Sequence, residues 1–320
     1  MERRPQRRRR LSKPVISVGN LSIGGTGKTP VVAAIAEWLI AAGHRPSILT
    51  RGYGREDAVD GVVVVNPQIS RTSRNDQPPL LAQTGDEPMM LSRQVPGATV
   101  CVSPDRHLGG VLAEKLGCTV HVLDDGFQHL ELARDLDILV TRVGEIPKGR
   151  VIPFGRLREP KDAAARAHFL VVTDATAGAA SAEAWELGVS QSCGARRTLA
   201  APAAVPGSRF PVPGLVPPGS KVLTVAGIAH PDRFVRALID AGYDVVDAMA
   251  FADHHRYSAK DLAAIGAKMQ GSGASAVFTT DKDAVRFETL APSFPLYRVP
   301  LLVEFDPPDA LFDSVTAVIK

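Results

Sequence analysis

The segment from Gly19 to Pro30 constrains the fold of this chain more than any other feature. Its sequence, GNLSIGGTGKTP, lies between a short apolar run at residues 14–18 and an apolar helical pattern at residues 31–42. Glycines between a strand and a helix allow backbone N–H groups to turn toward phosphate oxygens. The positive end of the following helix points to the same place. The segment therefore predicts a phosphate-binding loop.

The side chains of this loop indicate which ligands it binds. Lys28 is predicted to reach the β- and γ-phosphates of ATP, and Thr29 to offer its hydroxyl to Mg²⁺. The strict pattern has glycine at position 22, where this chain has serine. The residues expected to bind the nucleotide are Ser22, Ile23, Gly24, Gly25, Thr26, Gly27, Lys28 and Thr29.

The alternation of short β-branched runs with helical patterns predicts the fold class. Such alternation indicates a parallel sheet covered by helices on both faces. Right-handed crossovers then place the carboxyl ends of the strands at one edge. A second α/β stretch begins at Lys221 with the run VLTVA. We therefore expect an α/β fold: a P-loop NTPase-like, doubly wound, mostly parallel sheet with a second, smaller α/β domain.

Charge and composition divide the chain into four segments. Residues 1–13 hold seven basic residues and one acid without apolar periodicity, which predicts an exposed basic arm. Residues 14–175 are expected to form the P-loop core, and residues 176–220, rich in Pro, Gly, Ser and Ala, a linker with loops. Residues 221–320 are expected to form the second α/β domain, closing over the site.

The overall composition excludes several classes of protein. Hydrophobic residues make up 45% and charged residues 22%, which excludes a wholly disordered chain and a polytopic membrane protein. No uncharged apolar run reaches the roughly 18 residues of a membrane-spanning helix. The three cysteines form no CxxC pair, so neither a zinc site nor a disulfide framework is indicated. A reducing cytoplasm is the simplest compartment.

A second motif, HVLDDGFQH at residues 121–129, places two carboxylates at the end of an apolar run. An acid at such a strand end holds Mg²⁺ directly or through water in P-loop enzymes. Asp124 and Asp125 would alternate in direction on extended backbone, one facing the metal and the other the substrate. Gln128 adds a neutral oxygen donor. The alternative is an acidic corner between a strand and a loop.

Weaker motifs carry groups suited to proton transfer and anion binding. Asp86, in GDEP, either caps a helix or accepts a proton from an attacking hydroxyl. His254 or His255, in FADHH, either orients such a carboxylate or is silent on the surface. Arg51 and Arg106 suit phosphate recognition, because a planar guanidinium binds two oxygens, but each is equally compatible with a structural ion pair.

Taken together, these motifs resemble the tetraacyldisaccharide 4'-kinase family, the lipid A 4'-kinases of Gram-negative bacteria. The segments that carry the resemblance occur in the family's order: VGNLSIGGTGKTPVV, LTRGYG, GDEP, VLDDGFQH, GRLREP, FADHH and TTDKDAVRF. The resemblance implies ATP- and Mg²⁺-dependent transfer of a γ-phosphoryl group. The acceptor would be the 4'-hydroxyl of a tetraacylated glucosamine disaccharide 1-phosphate, a glycolipid.

The resemblance also implies roles for single residues. Lys28 and Thr29 correspond to the phosphate-loop lysine and threonine. Asp86 corresponds to the proposed general base, with His254 as its dyad partner. The acidic strand end, where metal and phosphate are held, corresponds to Asp124, Asp125 and Gln128.

Four further residues are expected near the reacting groups. Glu159 and Arg106 are assigned to catalysis, and Glu87 and Arg51 to the substrate. Members of the family commonly begin with an apolar or amphipathic helix that docks on the inner membrane, whereas this chain begins with an Arg-rich segment. Peripheral contact with the cytoplasmic face of that membrane is still expected, through basic residues, through another hydrophobic patch, or through an upstream segment.

Two other functions remain open on the sequence. A soluble metabolite kinase or ATP-dependent ligase with a P-loop would act on a small polar substrate without lipid. A nucleotide-switched protein with a basic arm would bind nucleic acid in a salt-sensitive way. Outside residues 1–13, however, the chain has 30 basic and 33 acidic residues, and the arm lacks interleaved aromatic residues, so nucleic acid is not expected as a partner.

Overall fold

The structure, a computed structural model, describes residues 8–52, 61–65, 81–206, 215–288 and 290–320. The chain forms two compact units. The first contains Met1–Arg197 together with Val303–Lys320, and the second contains Thr198–Leu302. No helix in the described ranges is both long enough and apolar enough to cross a bilayer.

Strands and helices alternate along most of the described chain. The strands are β1 (Val15–Gly19), β2 (Pro46–Thr50), β3 (Val63–Val65), β4 (Thr99–Val102), β5 (Val120–Asp124), β6 (Leu136–Arg142), β7 (Phe169–Thr173), β8 (Gln191–Leu199), β9 (Ala203–Ala204), β10 (Lys221–Ala226), β11 (Asp244–Ala250), β12 (Ala276–Thr280), β13 (Leu296–Val299) and β14 (Leu301–Asp306). The helices are α1 (Lys28–Ala41), α2 (Leu81–Thr84), α3 (Asp86–Gln94), α4 (Arg106–Lys115), α5 (Ala177–Leu187), α6 (Pro231–Asp240), α7 (Ala259–Ser272), α8 (Asp281–Phe287) and α9 (Ala310–Ile319).

The first sheet has the strand order β14-β8-β7-β6-β1-β5-β2-β4-β3. β1 lies at its centre, parallel to both β5 and β6, and all five of its residues are buried, as is usual for a strand covered on two faces. The chain first builds β2, β3 and β4 on one side of β1, and later β6, β7 and β8 on the other. Ligands of α/β proteins bind at such a switch point, outside the carboxyl ends of the strands.

The second sheet has the strand order β11-β10-β12-β13-β9. Its pairs are parallel except for the short β9, which runs antiparallel to β13. Tyr257 stacks on Phe287 with 3.9 Å between ring centroids inside its core. The two sheets confirm the predicted α/β class with a large, mostly parallel sheet.

The division into units differs from the predicted domain boundaries. Residues 176–220, predicted as a linker, contain α5 and the whole of β8, which pairs with β7 and extends the first sheet. The Ala-rich composition of this segment suggested a loop. Alanine is also a strong helix former, however, so the same composition suits the helix α5. The end of the predicted second domain returns to the first unit, where Phe312 of α9 stacks on Trp38 of α1 with 5.2 Å between ring centroids.

Residues 8–13 lie against the first unit instead of forming a free arm, although all of them except Leu11 are exposed, as the charge pattern predicts. The Arg9 backbone pairs with the segment around Leu132, and its guanidinium binds both carboxylate oxygens of Asp105 at 2.8 and 2.9 Å. Leu11 is buried in the core of the first unit, packed against Gly110. The charge pattern thus predicts the solvent exposure of this run correctly, but it does not predict that one buried leucine anchors the run. Residues 1–7 of the predicted arm lie outside the described residues.

Candidate active site

The predicted phosphate-binding loop connects the central strand β1 to α1. The loop ends at Gly27, the N-cap of α1, whose φ of 93° lies in the left-handed region that favours glycine. It therefore leads directly into the amino end of a helix, where unpaired backbone N–H groups favour anions. Ser22, the departure from the strict pattern, is buried and pairs its backbone with Leu157.

Polar side chains hold this loop from several directions. Arg142, the last residue of β6, donates to the carbonyl oxygen of Gly25. Arg156 donates from Nη2 to the carbonyl oxygen of Ile23 at 2.7 Å. These bonds fix the shape of the loop before a ligand binds, which lowers the entropy cost of binding.

Lys28 faces the acidic end of β5. Its Nζ lies 3.4 Å from Oδ1 of Asp125. Arg158 contacts both oxygens of the same carboxylate at 3.1 and 2.9 Å. Burial alone would raise the pKa of Asp125, but Lys28 and Arg158 hold this pKa below its usual value. Asp125 is therefore a carboxylate at neutral pH that keeps two cations beside the loop.

Asp124 has a different environment from its neighbour. It is the last residue of β5 and is buried, whereas Asp125 has a left-handed φ of 51°. The expected alternation on extended backbone is therefore wrong, because the strand ends between the two residues. Burial raises the pKa of Asp124 to about 7, and the negative charge of Glu87 adds to the shift while Lys28 opposes it.

A hydrogen-bond network joins the acidic motif to the GRLREP motif. Gln128 donates from Nε2 to the carbonyl oxygen of Asn20 at 2.9 Å and to Oε1 of Glu159 at 3.1 Å. Its Oε1 accepts from Arg158 at 3.2 Å. Arg166 binds both oxygens of Glu159 at 3.0 and 2.9 Å. Gln128 and Glu159 thus belong to one polar cluster beside the loop.

Arg106, the first residue of α4, is buried next to the same strand end. Its Nη2 donates to the backbone carbonyl of Asp124 at 3.5 Å. Burial lowers the pKa of Arg106, and the positive charge of Arg51 acts in the same direction, so Arg51 lies within electrostatic reach. Among the described residues, none accepts a hydrogen bond from Nε of Arg106. This buried donor is available to a ligand.

The GDEP motif forms the start of a helix rather than a loop that precedes one. Asp86 and Glu87 lie in the first turn of α3, directly after Gly85, whose φ is 84°. α3 contacts α1, the helix that begins with Lys28. The influence of Glu87 on the pKa of Asp124 places the GDEP turn near the acidic end of β5.

The two histidines of the FADHH motif have different partners within the second unit. His254 has a φ of 62°, and its Nε2 lies 3.1 Å from Nζ of Lys282. Lys282 also donates to Oδ1 of Asp253 at 3.0 Å. His255 instead lies 3.2 Å from Asp261, which completes the capping box of α7. His255 thus supports the α7 cap, whereas His254 lies in a polar cluster with Lys282 and Asp253.

Within the first unit, the structure gathers most of the residues that the sequence nominated. Around the loop lie Lys28, Glu87, Arg106, Asp124, Asp125, Gln128 and Glu159. Thr29 is the second residue of α1. Three further arginines bind the loop or its acidic partners, although the sequence assigned them no role in the site: Arg142, Arg158 and Arg166. Arg158 stands inside the GRLREP motif, where its position beside Glu159 was an available signal.

Comparison with known proteins identifies the family of this chain. The family model described as "Tetraacyldisaccharide-1-P 4'-kinase" matches residues 1–320. A tetraacyldisaccharide 4'-kinase from Pelobacter propionicus is 42% identical over 283 residues, which cover 87% of this chain and 75% of the relative. One from Geobacter sulfurreducens is 39% identical over 297 residues, covering 92% and 80%.

A solved structure matches as well. The "apo" form of LpxK from Aquifex aeolicus in complex with ATP has a TM-score of 0.74 and 28% sequence identity, covering 98% of this chain and 90% of that chain. The match includes the large, mostly parallel sheet that carries the loop. These findings confirm the resemblance of the sequence motifs, and this chain belongs to the tetraacyldisaccharide-1-P 4'-kinase family.

Proposed function

We propose that this chain transfers the γ-phosphoryl group of ATP to the 4'-hydroxyl of a tetraacylated glucosamine disaccharide 1-phosphate, a step of lipid A biosynthesis. The observation that carries the proposal is the arrangement around the loop, with Lys28 beside Asp125 and the GDEP turn near the end of β5. Family membership supports the identity of the donor and of the acceptor.

The residues of the loop are proposed to bind the phosphates of ATP. Phosphoryl transfer depends mainly on positioning and on stabilisation of charge. Lys28 would leave Asp125 for the β- and γ-phosphate oxygens, while Arg158 keeps the carboxylate paired. The backbone N–H groups at residues 24–29 and the amino end of α1 would supply further positive charge.

Mg²⁺ is the metal ion that these residues fit. No group of three or more His, Cys, Asp or Glu side chains is arranged to hold a metal within the described parts of the chain. Kinase sites, however, bind Mg²⁺ through one or two carboxylates together with substrate phosphates and water. The hydroxyl of Thr29 and the carboxylate of Asp124 would supply oxygen ligands of this kind, with Asp125 and Gln128 beside them. The bound cation would neutralise charge on the phosphates.

Asp86 is proposed as the general base that accepts the proton of the 4'-hydroxyl. A carboxylate in this role must reach the attacking oxygen, and a base of this kind contributes about 10²- to 10⁴-fold to the rate. His254 is proposed to position Asp86. Support comes from the family resemblance and from the assignment of His255 to the α7 cap.

The remaining nominated residues are proposed to surround the transferred group. Arg106 offers its buried Nε donor to an oxyanion, and Arg51 adds positive charge nearby. Glu87 is proposed to contact the sugar. Glu159 is held by Arg166 and is proposed to position Gln128 and, through it, the loop.

The protein is also proposed to act at the cytoplasmic face of the inner membrane, in peripheral contact with it. The acceptor carries acyl chains, so its headgroup is accessible only near a bilayer or a micelle. Basic residues near anionic lipids contribute about 1 kcal/mol each. Arg9 and Arg10 already pair with Asp105 and Asp135, which leaves less of the N-terminal charge for lipid.

A radiolabel transfer assay tests the function directly. The full chain is incubated with ATP labelled at the γ-phosphate and with the disaccharide 1-phosphate in detergent micelles, with and without Mg²⁺. We expect label in the lipid only when Mg²⁺ is present. An acceptor that already carries a 4'-phosphate should receive none. Transfer to free glucosamine but not to the glycolipid would contradict the proposal and favour a soluble metabolite kinase.

The role of Asp86 is tested by a matched pair of variants. Asp86→Asn should lower kcat at least about 100-fold, the usual scale for a general base. Asp105→Asn is the control, because Asp105 also stands at the start of a helix but binds Arg9 and caps α4. It should leave kcat within about twofold, since it changes no residue of the proposed site. Near-normal turnover of Asp86→Asn would remove Asp86 from this role.

A further inference from the structure

A short loop, residues 150–157, presents an apolar tip to solvent. The tip consists of Ile152, Pro153 and Phe154, all exposed. The Phe154 side chain is 84% exposed and that of Ile152 is 47% exposed. Large apolar side chains grouped in this way usually mark an interaction surface.

The tip is held by a closed and well-packed base. The Leu157 N–H donates to the carbonyl of Arg150 at 2.9 Å, and the Ile152 N–H donates to the carbonyl of Leu157 at 3.0 Å. Leu157 itself is buried in the core of the first unit. A Cβ on Gly155 would collide with the Arg150 backbone, so the turn admits only glycine there. The loop therefore exposes its apolar residues while its own backbone is fixed.

The same base joins the tip to the phosphate-binding loop. Ser22 pairs with Leu157, and the Ile23 N–H donates to the carbonyl of Arg156 at 2.7 Å. Ile23 is itself 47% exposed. The exposed apolar residues therefore lie on the side of the molecule where the nucleotide site is, and where a lipid acceptor must arrive.

Basic side chains accompany the tip. Residues 142–158 contain five basic residues and one acid, Glu145. Lys148, Arg150 and Arg156 are exposed. Apolar residues bordered by cations match the interface of an anionic bilayer, where acyl chains lie beneath negative headgroups.

Another exposed aromatic residue shows that exposure alone does not make such a surface. Trp185 on α5 is 88% exposed, but the exposed acid Glu186 follows it and α5 contains no basic residue. Trp185 lies near Leu136 and Phe169, the first residues of β6 and β7, at the opposite edge of the sheet. It provides a matched reference for the tip.

We propose that the 150–157 loop is a docking surface for an anionic lipid bilayer. Phe154 and Ile152 enter the interface, while Lys148 and Arg150 contact acidic headgroups. This inference rests on the proposed function in that a glycolipid acceptor explains why the docking surface adjoins the nucleotide site. Docking in this orientation turns the carboxyl edge of the first sheet toward the membrane.

Vesicle flotation with the full chain tests the proposal. Vesicles contain phosphatidylcholine alone or with phosphatidylglycerol at about one third. The wild type should float with the anionic vesicles and be released by high salt. Phe154→Ser should lower the partition coefficient about tenfold, because removing a buried aromatic ring from the interface costs at least that factor. Trp185→Ser should not change it.

The charge contribution is tested separately. A Lys148→Gln, Arg150→Gln double variant should lower binding to anionic vesicles at least tenfold. The control is an Arg45→Gln, Lys115→Gln double variant. These two exposed residues precede β2 and β5, at the amino edge of the same sheet, and their loss should leave binding unchanged. Thermal melting confirms that each variant is folded.

Three outcomes would overturn the proposal. The first is that the wild type and Phe154→Ser float equally well. The second is that Trp185→Ser loses as much binding to vesicles as Phe154→Ser does. The third is a concentration-dependent dimer that Phe154→Ser abolishes, which would identify a second copy of the chain as the partner of this surface. The flotation result is independent of the transfer assay. If the wild type is active in the transfer assay but Phe154→Ser floats as well as the wild type, only the docking surface is refuted. If the wild type is inactive but its flotation depends on Phe154, only the proposed function is refuted.

Discussion

Substituting Asp124 by asparagine should change how the stability of the first unit depends on pH. Asp124 is buried at the end of β5, and burial together with Glu87 raises its pKa to about 7, against 3.8 for the free side chain. Between these two values the folded protein holds a proton that the unfolded chain releases. A carboxyl group whose pKa is raised in the folded state contributes less to the stability of the fold as pH rises. The contribution of Asp124 to the free energy of unfolding is therefore lost between about pH 4 and pH 7.

The magnitude follows from the same two values. For one group, the linkage relation gives a loss of about 2 to 3 kcal/mol in the free energy of unfolding between pH 5 and pH 8. Asparagine has nearly the same shape and no charge at either pH. The wild type and Asp124→Asn should therefore be similar in stability at pH 5, and the variant should be more stable at pH 8 by about 2 to 3 kcal/mol.

Urea unfolding without nucleotide or metal measures this difference. The two tryptophans, Trp38 and Trp185, both lie in the first unit, so their fluorescence reports the unit that contains Asp124. Subtracting the free energy of the variant from that of the wild type removes the titrations of groups that Asp124 does not influence, such as His129, whose pKa burial lowers to about 4. Asp105→Asn is the control. The hydrogen bonds from Arg9 lower the pKa of Asp105, so Asp105 is ionised at both pH values. Asp105→Asn should therefore change the free energy of unfolding equally at pH 5 and pH 8. A difference in stability between wild type and Asp124→Asn that is the same at pH 5 and pH 8 would contradict the raised pKa of Asp124.

Two further predictions concern backbone packing and the histidine pair. Gly19→Ala should lower the free energy of unfolding by about 1 to 3 kcal/mol, because its Cβ would lie 2.5 Å from the backbone nitrogen of Phe127. Gly178→Ala, with nothing within 4 Å of its Cβ, should leave the free energy of unfolding unchanged or slightly raised. Equal urea midpoints for the two variants would contradict the prediction. His254→Ala should lower kcat more than tenfold in the transfer assay. His255→Ala should lower the melting temperature through the α7 cap with kcat nearly unchanged, and the reverse pattern would exchange their roles.

Local motifs made the nucleotide site readable from the sequence. Gly27 and Lys28 stand where a buried strand gives way to a helix, so the chemistry and the geometry are encoded within a few residues. The acidic motif was readable for the same reason. What the sequence does not encode locally is the contact of Arg158 with Asp125, since a pair so distant along the chain is set by the fold. The left-handed backbone at Asp125 likewise depends on its tertiary partners.

The misplaced boundaries have a physical reason of their own. Charge and composition describe the average solvation of a segment, whereas one buried side chain decides where the segment lies. Leu11 shows this in the N-terminal run, and the alanine-rich face of α5 shows it in the predicted linker. The return of α9 to Trp38 could not be predicted either, because an apolar helix can cover any sheet that offers an apolar face.

The path of the chain through its two units has a consequence for biosynthesis. Residues 303–320, which hold the end of β14 and α9, complete the nucleotide-binding unit, yet the ribosome can add them only after residues 198–302 have been made. During translation the edge of β8 therefore has no neighbouring strand while the intervening unit is synthesised. A stop codon or a protease cut shortly after residue 302 would leave the later unit whole and damage the earlier one.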